Sequence, residues 1–234
     1  IVSSCIQSTQ LYMTKCIAID TSTDRFTLAA MNDGELFEFN QENCIDHAQY
    51  IYRNINNILT DSRLELKDLD FIVYGSGPGR FTGLRIAAAA TQAISYSQQT
   101  PVCSISSLAT IAQVASETYS LDKIAVVMDA GRKQIYFGCY QKSEDGLVAS
   151  TISDCLIDVD AFHFSGTNFF GVGKGWKEYT NLRKQCSVEV VEQAQEILPD
   201  AKTMIKLAIR DFKSGKGVES FEALPNYLRD QVAD

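Results

Sequence analysis

The spacing of hydrophobic residues changes several times along the chain, and each change marks an element. Lys15 to Thr21 is a short apolar run ending in Asp20, and Arg25 to Met31 alternates inward and outward with the period of a strand. Asn32-Asp33-Gly34, set between alternating segments, predicts a hairpin, so Glu35 to Phe39 returns as a third antiparallel strand. From Cys44 to Leu59 the apolar residues fall at 45, 48, 51, 52, 55, 58 and 59, one stripe of a helix. Asp70 to Tyr74 predicts a buried strand, Leu84 to Tyr96 a helix, Pro101 to Ile105 a strand and Ser107 to Glu117 a further helix. The predicted order is β-β-β-α-β-α-β-α.

The second half echoes the first. Ile17-Ala-Ile-Asp20, an alternating strand and Asp33-Gly34 return as Val126-Val-Met-Asp129, Gln134 to Tyr140 and Asp145-Gly146. Phe71-Ile-Val-Tyr-Gly-Ser-Gly77 returns as Phe169-Phe-Gly-Val-Gly-Lys-Gly175, followed by a short helix at Trp176 to Leu182. Ser187 to Val191 and Pro199 to Lys213 supply a last strand and helix, with Pro199 in the first turn. The segment Asp158 to Phe164 is too short for the helix expected after the second hairpin. These repeats predict two related α/β units, the second degenerate: 13–118 and 119–234, with the last helix packing back on the first unit. Two such units, each with an Asp ending its first strand, make the plan of the actin-like and sugar-kinase ATPases, a duplicated ribonuclease H-like fold. There Asp20 and Asp129 would be the inherited pair beside phosphate and Mg²⁺, although Asp20-Thr-Ser-Thr23 lacks the glycine usual after that Asp. The bland alternative is that both aspartates cap strand ends and turns.

The length of 234 residues can bury a real core, and 45% hydrophobic with 21% charged residues is ordinary for a globular chain. A net charge of −8 argues against independent binding of nucleic acid, which needs a basic surface. Seven scattered cysteines, without a C-x-x-C pair, fit reduced thiols. No run is long enough for a membrane span, and the reading is cytoplasmic. Met13 reads as a natural start, leaving residues 1–12 as an upstream extension expected to be disordered.

Candidate chemistry centres on Tyr74-Gly-Ser-Gly-Pro-Gly-Arg-Phe-Thr-Gly-Leu-Arg85, a glycine-rich turn from a strand into a helix. Such a turn is either a plain connection or an anion cradle at the helix N-terminus. The following helix is small on every face, through Ile86-Ala-Ala-Ala-Ala-Thr-Gln-Ala-Ile94. Two stripes, 84, 87, 88, 91 and 86, 89, 90, 93, imply two neighbours: the sheet, and either the preceding helix or a helix of another chain.

Several segments resemble the TsaB (YeaZ) family in order and spacing: Ile17-Ala-Ile-Asp-Thr-Ser-Thr23, Gly77-Pro-Gly-Arg-Phe-Thr-Gly-Leu-Arg-Ile86, Met128-Asp-Ala130, Gly171-Val-Gly173, Pro199-Asp-Ala201 and Pro225-Asn-Tyr-Leu-Arg229. Arg80 stands where that family commonly has a small residue. The resemblance implies a noncatalytic scaffold subunit of the bacterial machinery that adds a threonylcarbamoyl group to the adenosine 3′ of the anticodon in tRNAs reading A-starting codons. Implied partners are a TsaD-like catalytic subunit, a TsaE-like ATPase, a second copy of the chain, and tRNA only through the complex. Aligned with the H-x-E-G-H metal helix of the paralogue TsaD, this chain has Ser107, Ala109 and Ile111. Its two histidines, His47 and His163, have no partner at ligand spacing, which disfavours a metalloprotease (glycoprotease). An actin-like ATPase or small-molecule kinase is the alternative enzyme reading. The resemblance also implies pairing through first-unit helices, at Ile51, Ile55, Phe81, Gly83, Leu84, Ala87, Ala90, Thr91 and Ile94. Ala90→Arg is expected to abolish dimerisation and leave the monomer folded. A residual nucleotide or anion site, weak or shared across a subunit interface, would use Asp20, Thr21, Gly77, Gly79 and Asp129. No cofactor is expected for the chain alone.

Overall fold

The computed structural model describes residues 13–44 and 46–229; the reading of residues 1–12 lies outside them. In chain order the elements are β1 (Lys15–Asp20), β2 (Phe26–Asn32), β3 (Glu35–Gln41), α1 (His47–Asp61), β4 (Phe71–Gly77), α2 (Phe81–Gln98), β5 (Val102–Ser106) and α3 (Ser107–Tyr119). They continue with β6 (Lys123–Gly131), β7 (Gln134–Lys142), β8 (Val148–Asp158), β9 (Phe170–Val172), α4 (Gly175–Glu178), β10 (Glu189–Val190) and α5 (Ala201–Lys213). Two compact units result, 13–105 with Asp200–Pro225 and Ser106–Pro199 with the residues after Pro225. The sheet orders are β3-β2-β1-β4-β5 and β8-β7-β6-β9-β10, one topology used twice. In each, the first strand pairs antiparallel with its hairpin partner and parallel with the fourth: Ile17↔Ala30 and Ile17↔Ile72, then Val126↔Gly138 and Val126↔Val172. This is the duplicated α/β plan of the actin-like fold.

In the first unit the Asp33-Gly34 turn has φ of 48° and 94°, the twist that closes a two-residue hairpin. Asp46 caps α1 by accepting from Gln49 N–H. Ile51, Ile55 and Ile58 of α1 and Ala87 and Ile94 of α2 pack on Ile17, Ile19, Leu28, Ile72 and Tyr74. Helix α5 covers β1, β2 and β4, with Phe212 stacked on Phe71 at 4.4 Å. Helices on both faces explain why Cys16 to Asp20 are all buried. Pro199 lies ahead of the capping Asp200, not in the first turn.

Within the second unit α3 packs on β6, β7, β8 and β9. A boundary after residue 118 would separate α3 from the strands whose apolar face it covers; the division falls at Ile105/Ser106 instead. Where the first unit has α1, the second has only a 3-10 turn, Val159–Ala161, and an irregular stretch. Phe162 and Phe164 fill that face, edge-on to Phe137 at 5.2 and 5.3 Å, together with the fully buried Trp176. Trp176 Nε1–H donates to the Ala125 carbonyl at 3.2 Å. The edge strand β8 carries two irregularities against β7, between Phe137 and Tyr140. Beside them, Asp154 accepts from Ser106, the N-cap of α3, and from Tyr140. Bulges and an inward-turned carboxylate guard a sheet edge against adventitious pairing. Among the described residues no helix is long and apolar enough to cross a membrane.

Candidate functional site

The link after β1, Thr21 to Arg25, lies against the glycine turn that leads into α2. Arg80 N–H donates to the Ser22 carbonyl at 2.7 Å, and Thr21 Oγ1–H donates to the Gly83 carbonyl at 2.7 Å. A Cβ on Gly75 would overlap the Asp20 carboxylate, and one on Gly83 would overlap the Thr21 carbonyl. Close approach of the Asp20 side chain therefore requires Gly75, and close approach of the Thr21 backbone requires Gly83. Gly77, at φ 106°, precedes the cis Gly77–Pro78 bond, and Gly79 packs on Ser22. At the N-cap of α2 the Arg80 N–H is taken by the Ser22 carbonyl, so the glycine turn packs on the chain's own link.

Asp20 is fully buried. Its Oδ1 accepts from Ser22 N–H at 3.1 Å and from Ser22 Oγ–H at 2.9 Å, while Oδ2 has no partner among the described residues. Burial pushes its pKa up to about 6, against the two Ser22 bonds, which favour the charged form. His47, buried at the start of α1, donates from Nε2 to the Thr23 carbonyl at 3.1 Å and so holds the same link; burial keeps its pKa below the ordinary value. Thus Asp20, Thr21 and Gly79 come together, through Ser22 and Gly83, as a polar knot, while Gly77 ends β4 ahead of the turn.

Asp129 belongs to the second unit and is exposed. Its Oδ1 accepts from Gly131 N–H at 2.9 Å and from Tyr179 Oη–H at 2.7 Å. That bond to Asp129 pushes the Tyr179 hydroxyl up to about 12. The tail closes over the same hairpin, Arg229 donating to the Ala130 carbonyl at 3.0 Å and to Gln134 Oε1 at 2.7 Å.

Of the residues expected at a partner surface, Ile51, Ile55, Gly83, Leu84, Ala87, Ala90, Thr91 and Ile94 are buried within the first unit, and Phe81 alone is half-buried. Their stripe is the inner face. Ala90, 1% exposed, has no room for an arginine, so Ala90→Arg would break the monomer as well as any interface. The exposed positions of α2 include Arg85, Ala89, Ala93 and Tyr96, and those of α1 include Tyr52 and Asn56. Tyr52 and Tyr96 are 61% and 80% exposed. Tyr52, which the hydrophobic spacing places in the α1 stripe, is exposed instead, and alanines on every side of α2 masked which of its stripes faces outward.

The family model described as TsaD, tRNA N6-adenosine threonylcarbamoyltransferase, matches residues 42–234. The tRNA threonylcarbamoyladenosine biosynthesis protein TsaB of Escherichia coli (strain K12) is 30% identical over 223 residues, spanning 94% of this chain and 96% of its own length. The protein of the same description from Haemophilus influenzae is 28% identical over 228 residues, covering 92% and 94%. Among solved structures, YeaZ from Pseudomonas aeruginosa superposes with a TM-score of 0.83 at 31% identity, over 92% of this chain and 100% of that one. A second Pseudomonas aeruginosa structure, an uncharacterized protein with similarity to peptidase YeaZ, gives a TM-score of 0.85 at 31% identity over 93% and 100%. With near-complete coverage in both directions, the chain belongs to the TsaB (YeaZ) family.

Proposed function

We propose that this chain serves tRNA threonylcarbamoyladenosine biosynthesis as a noncatalytic scaffold that holds a TsaD-like catalytic subunit through the outer face of α1 and α2. The observation that carries the reading is the end-to-end match to TsaB proteins. Local geometry supports the noncatalytic part: the Asp20 link is packed against its own glycine turn, and Ser107 and Ile111 stand where the paralogue's metal-binding histidines fall. A TsaE-like ATPase and tRNA would join through the assembly, in keeping with the net charge of −8.

The test is depletion of the protein in its host, with the threonylcarbamoyl nucleoside measured in bulk tRNA, and co-purification with the TsaD-like subunit. Loss of the nucleoside, restored by wild-type protein, is expected. Ala89→Arg, on the outer face, is expected to fold normally and to weaken the complex at least tenfold. Undiminished nucleoside on depletion, or undiminished complex in the variant, would overturn the corresponding part of the reading.

A further inference from the structure

Helix α5 lies on the face of the first sheet away from α1 and α2, with Phe212 turned inward onto Phe71. Its positions 201, 203 to 205 and 207 to 209 are buried, so the side left to solvent is set by Lys202, Lys206, Arg210 and Lys213. These four follow at steps of four, four and three residues and therefore share one side of the helix, over about 16 Å of its length. The other long helices have nothing like it: α1 and α2 carry one cation each, Arg53 and Arg85, and α3 carries none. A chain of net charge −8 thus gathers four of its cations in one row. Helix stability accounts for part of that row only. Arg210 and Lys213 in the last turn complement the negative end of the helix, whereas Lys202 sits in the first turn, where the macrodipole favours an anion. Ion pairs along the row, such as Glu38 with Lys202 at 3.2 Å and Asp211 with Lys216 at 2.9 Å, are exposed to solvent. Pairs of this kind contribute little and give way to a stronger anion.

We propose that the α5 row is a phosphate-backbone contact, the strip along which an RNA held by the assembly lies directly against this chain. The proposal rests on the preceding reading and adds to it a contact with named residues, on the side of the sheet away from α1 and α2. The chemistry of the strip selects this occupant. A protein docking site needs apolar or aromatic anchors at its centre, and every apolar side chain of α5 is buried or, as Phe212, stacked on the sheet. A helix lying on a membrane likewise needs its apolar face free. Phosphates spaced along a backbone require only a row of cations with solvent around it, and lysines serve there as point charges. Such contacts carry no sequence information, which suits a subunit that positions an RNA and leaves its reading to others.

The experiment titrates bulk tRNA into the full chain assembled with the TsaD-like subunit, by filter binding at several salt concentrations, with circular dichroism to verify folding and light scattering to verify assembly. Lys206→Glu with Lys213→Glu is expected to raise the tRNA dissociation constant at least tenfold at low salt. The neutral pair Lys206→Gln with Lys213→Gln should weaken binding less and make the dependence of log affinity on log salt shallower by about one for each lysine removed. Lys206→Arg with Lys213→Arg should keep both affinity and slope. Affinity and slope unchanged in the Glu and Gln variants would overturn the proposal. So would variants that fold normally but lose the subunit, since the row would then be a protein contact. A wild-type chain that does not bind the subunit overturns the preceding reading instead, and the same titration on the chain alone then decides the row.

Discussion

The two units place an aspartate at the end of the same topological strand and treat it in opposite ways. In the first, the link from β1 to β2 runs from Thr21 to Arg25, folds inward and buries Asp20 against the glycine turn. In the second, β6 passes to β7 through Arg132 and Lys133 alone, and Asp129 stays at the surface with Tyr179. The longer link packs as internal structure against the start of α2, through Ser22 on Arg80 and Thr21 on Gly83. The shorter link has no residues to spare for that purpose. After duplication, one hairpin end has become a positioning device for a helix, and the other an exposed turn under the C-terminal tail.

Gly83→Ala attacks the first arrangement where it is tightest. The added Cβ meets the Thr21 carbonyl, a backbone atom that cannot swing away, so either the link or the first turn of α2 must move. A loss of more than about 3 kcal/mol of unfolding free energy is expected in urea titration, beyond an ordinary surface substitution. A loss below about 1 kcal/mol would mean that the link is pliable and the knot is not what positions α2.

Asp20→Asn should act in the other direction. The folded carboxylate has its pKa at about 6, above its ordinary 3.8, so the folded chain holds a proton that the unfolded chain has released between those values. Stability therefore falls as pH rises from about 4 to about 6 and then levels, by up to about 3 kcal/mol. Asparagine keeps an oxygen for the Ser22 bonds and carries no charge. Its unfolding free energy, compared with wild type across pH 4 to 8, should lack that slope and lie higher at pH 7. An equal slope in both proteins would show that the buried carboxylate is not its source.

Much of this comparison was legible in the chain itself. The duplication, both first strands and the Asp33-Gly34 turn follow from spacing, because period-2 alternation and a turn dipeptide are local signals. What stayed hidden was packing. Alanines surround α2, so composition could not say which stripe faces the sheet, and Ala90 was taken for a surface position when Ala89 holds it. The Ser106–Tyr140–Asp154 contacts depend on β8 bulges, which leave no mark in hydrophobic period. The partner of the glycine turn was equally invisible. The pattern Gly75, Gly79, Gly83 shows that something approaches closely, and only three dimensions show that it is the chain's own Asp20, Ser22 and Thr21.

The smallest effect is expected at the second hairpin. Arg132 and Lys133 both sit at positive φ, 55° and 56°, in a two-residue turn where asparagine and glycine are the residues of choice. Holding side chains of that size in the left-handed region costs about 1 kcal/mol each, which the hairpin tolerates because its strands are buried in the unit. Glycine gives back part of this through its greater freedom when unfolded, so the exchange does not recover the full amount. Arg132→Asn with Lys133→Gly should therefore stabilise by about 1 kcal/mol, read as a rise of about 2 to 4 °C in the thermal midpoint. The same pair placed in the inward link, Thr21→Asn with Ser22→Gly, should destabilise, since it removes the Thr21 and Ser22 side-chain hydrogen bonds to Gly83 and Asp20. Opposite signs for one dipeptide at two equivalent hairpin ends would establish that the units diverged by converting one turn into internal structure; equal signs would mean that both remain ordinary turns.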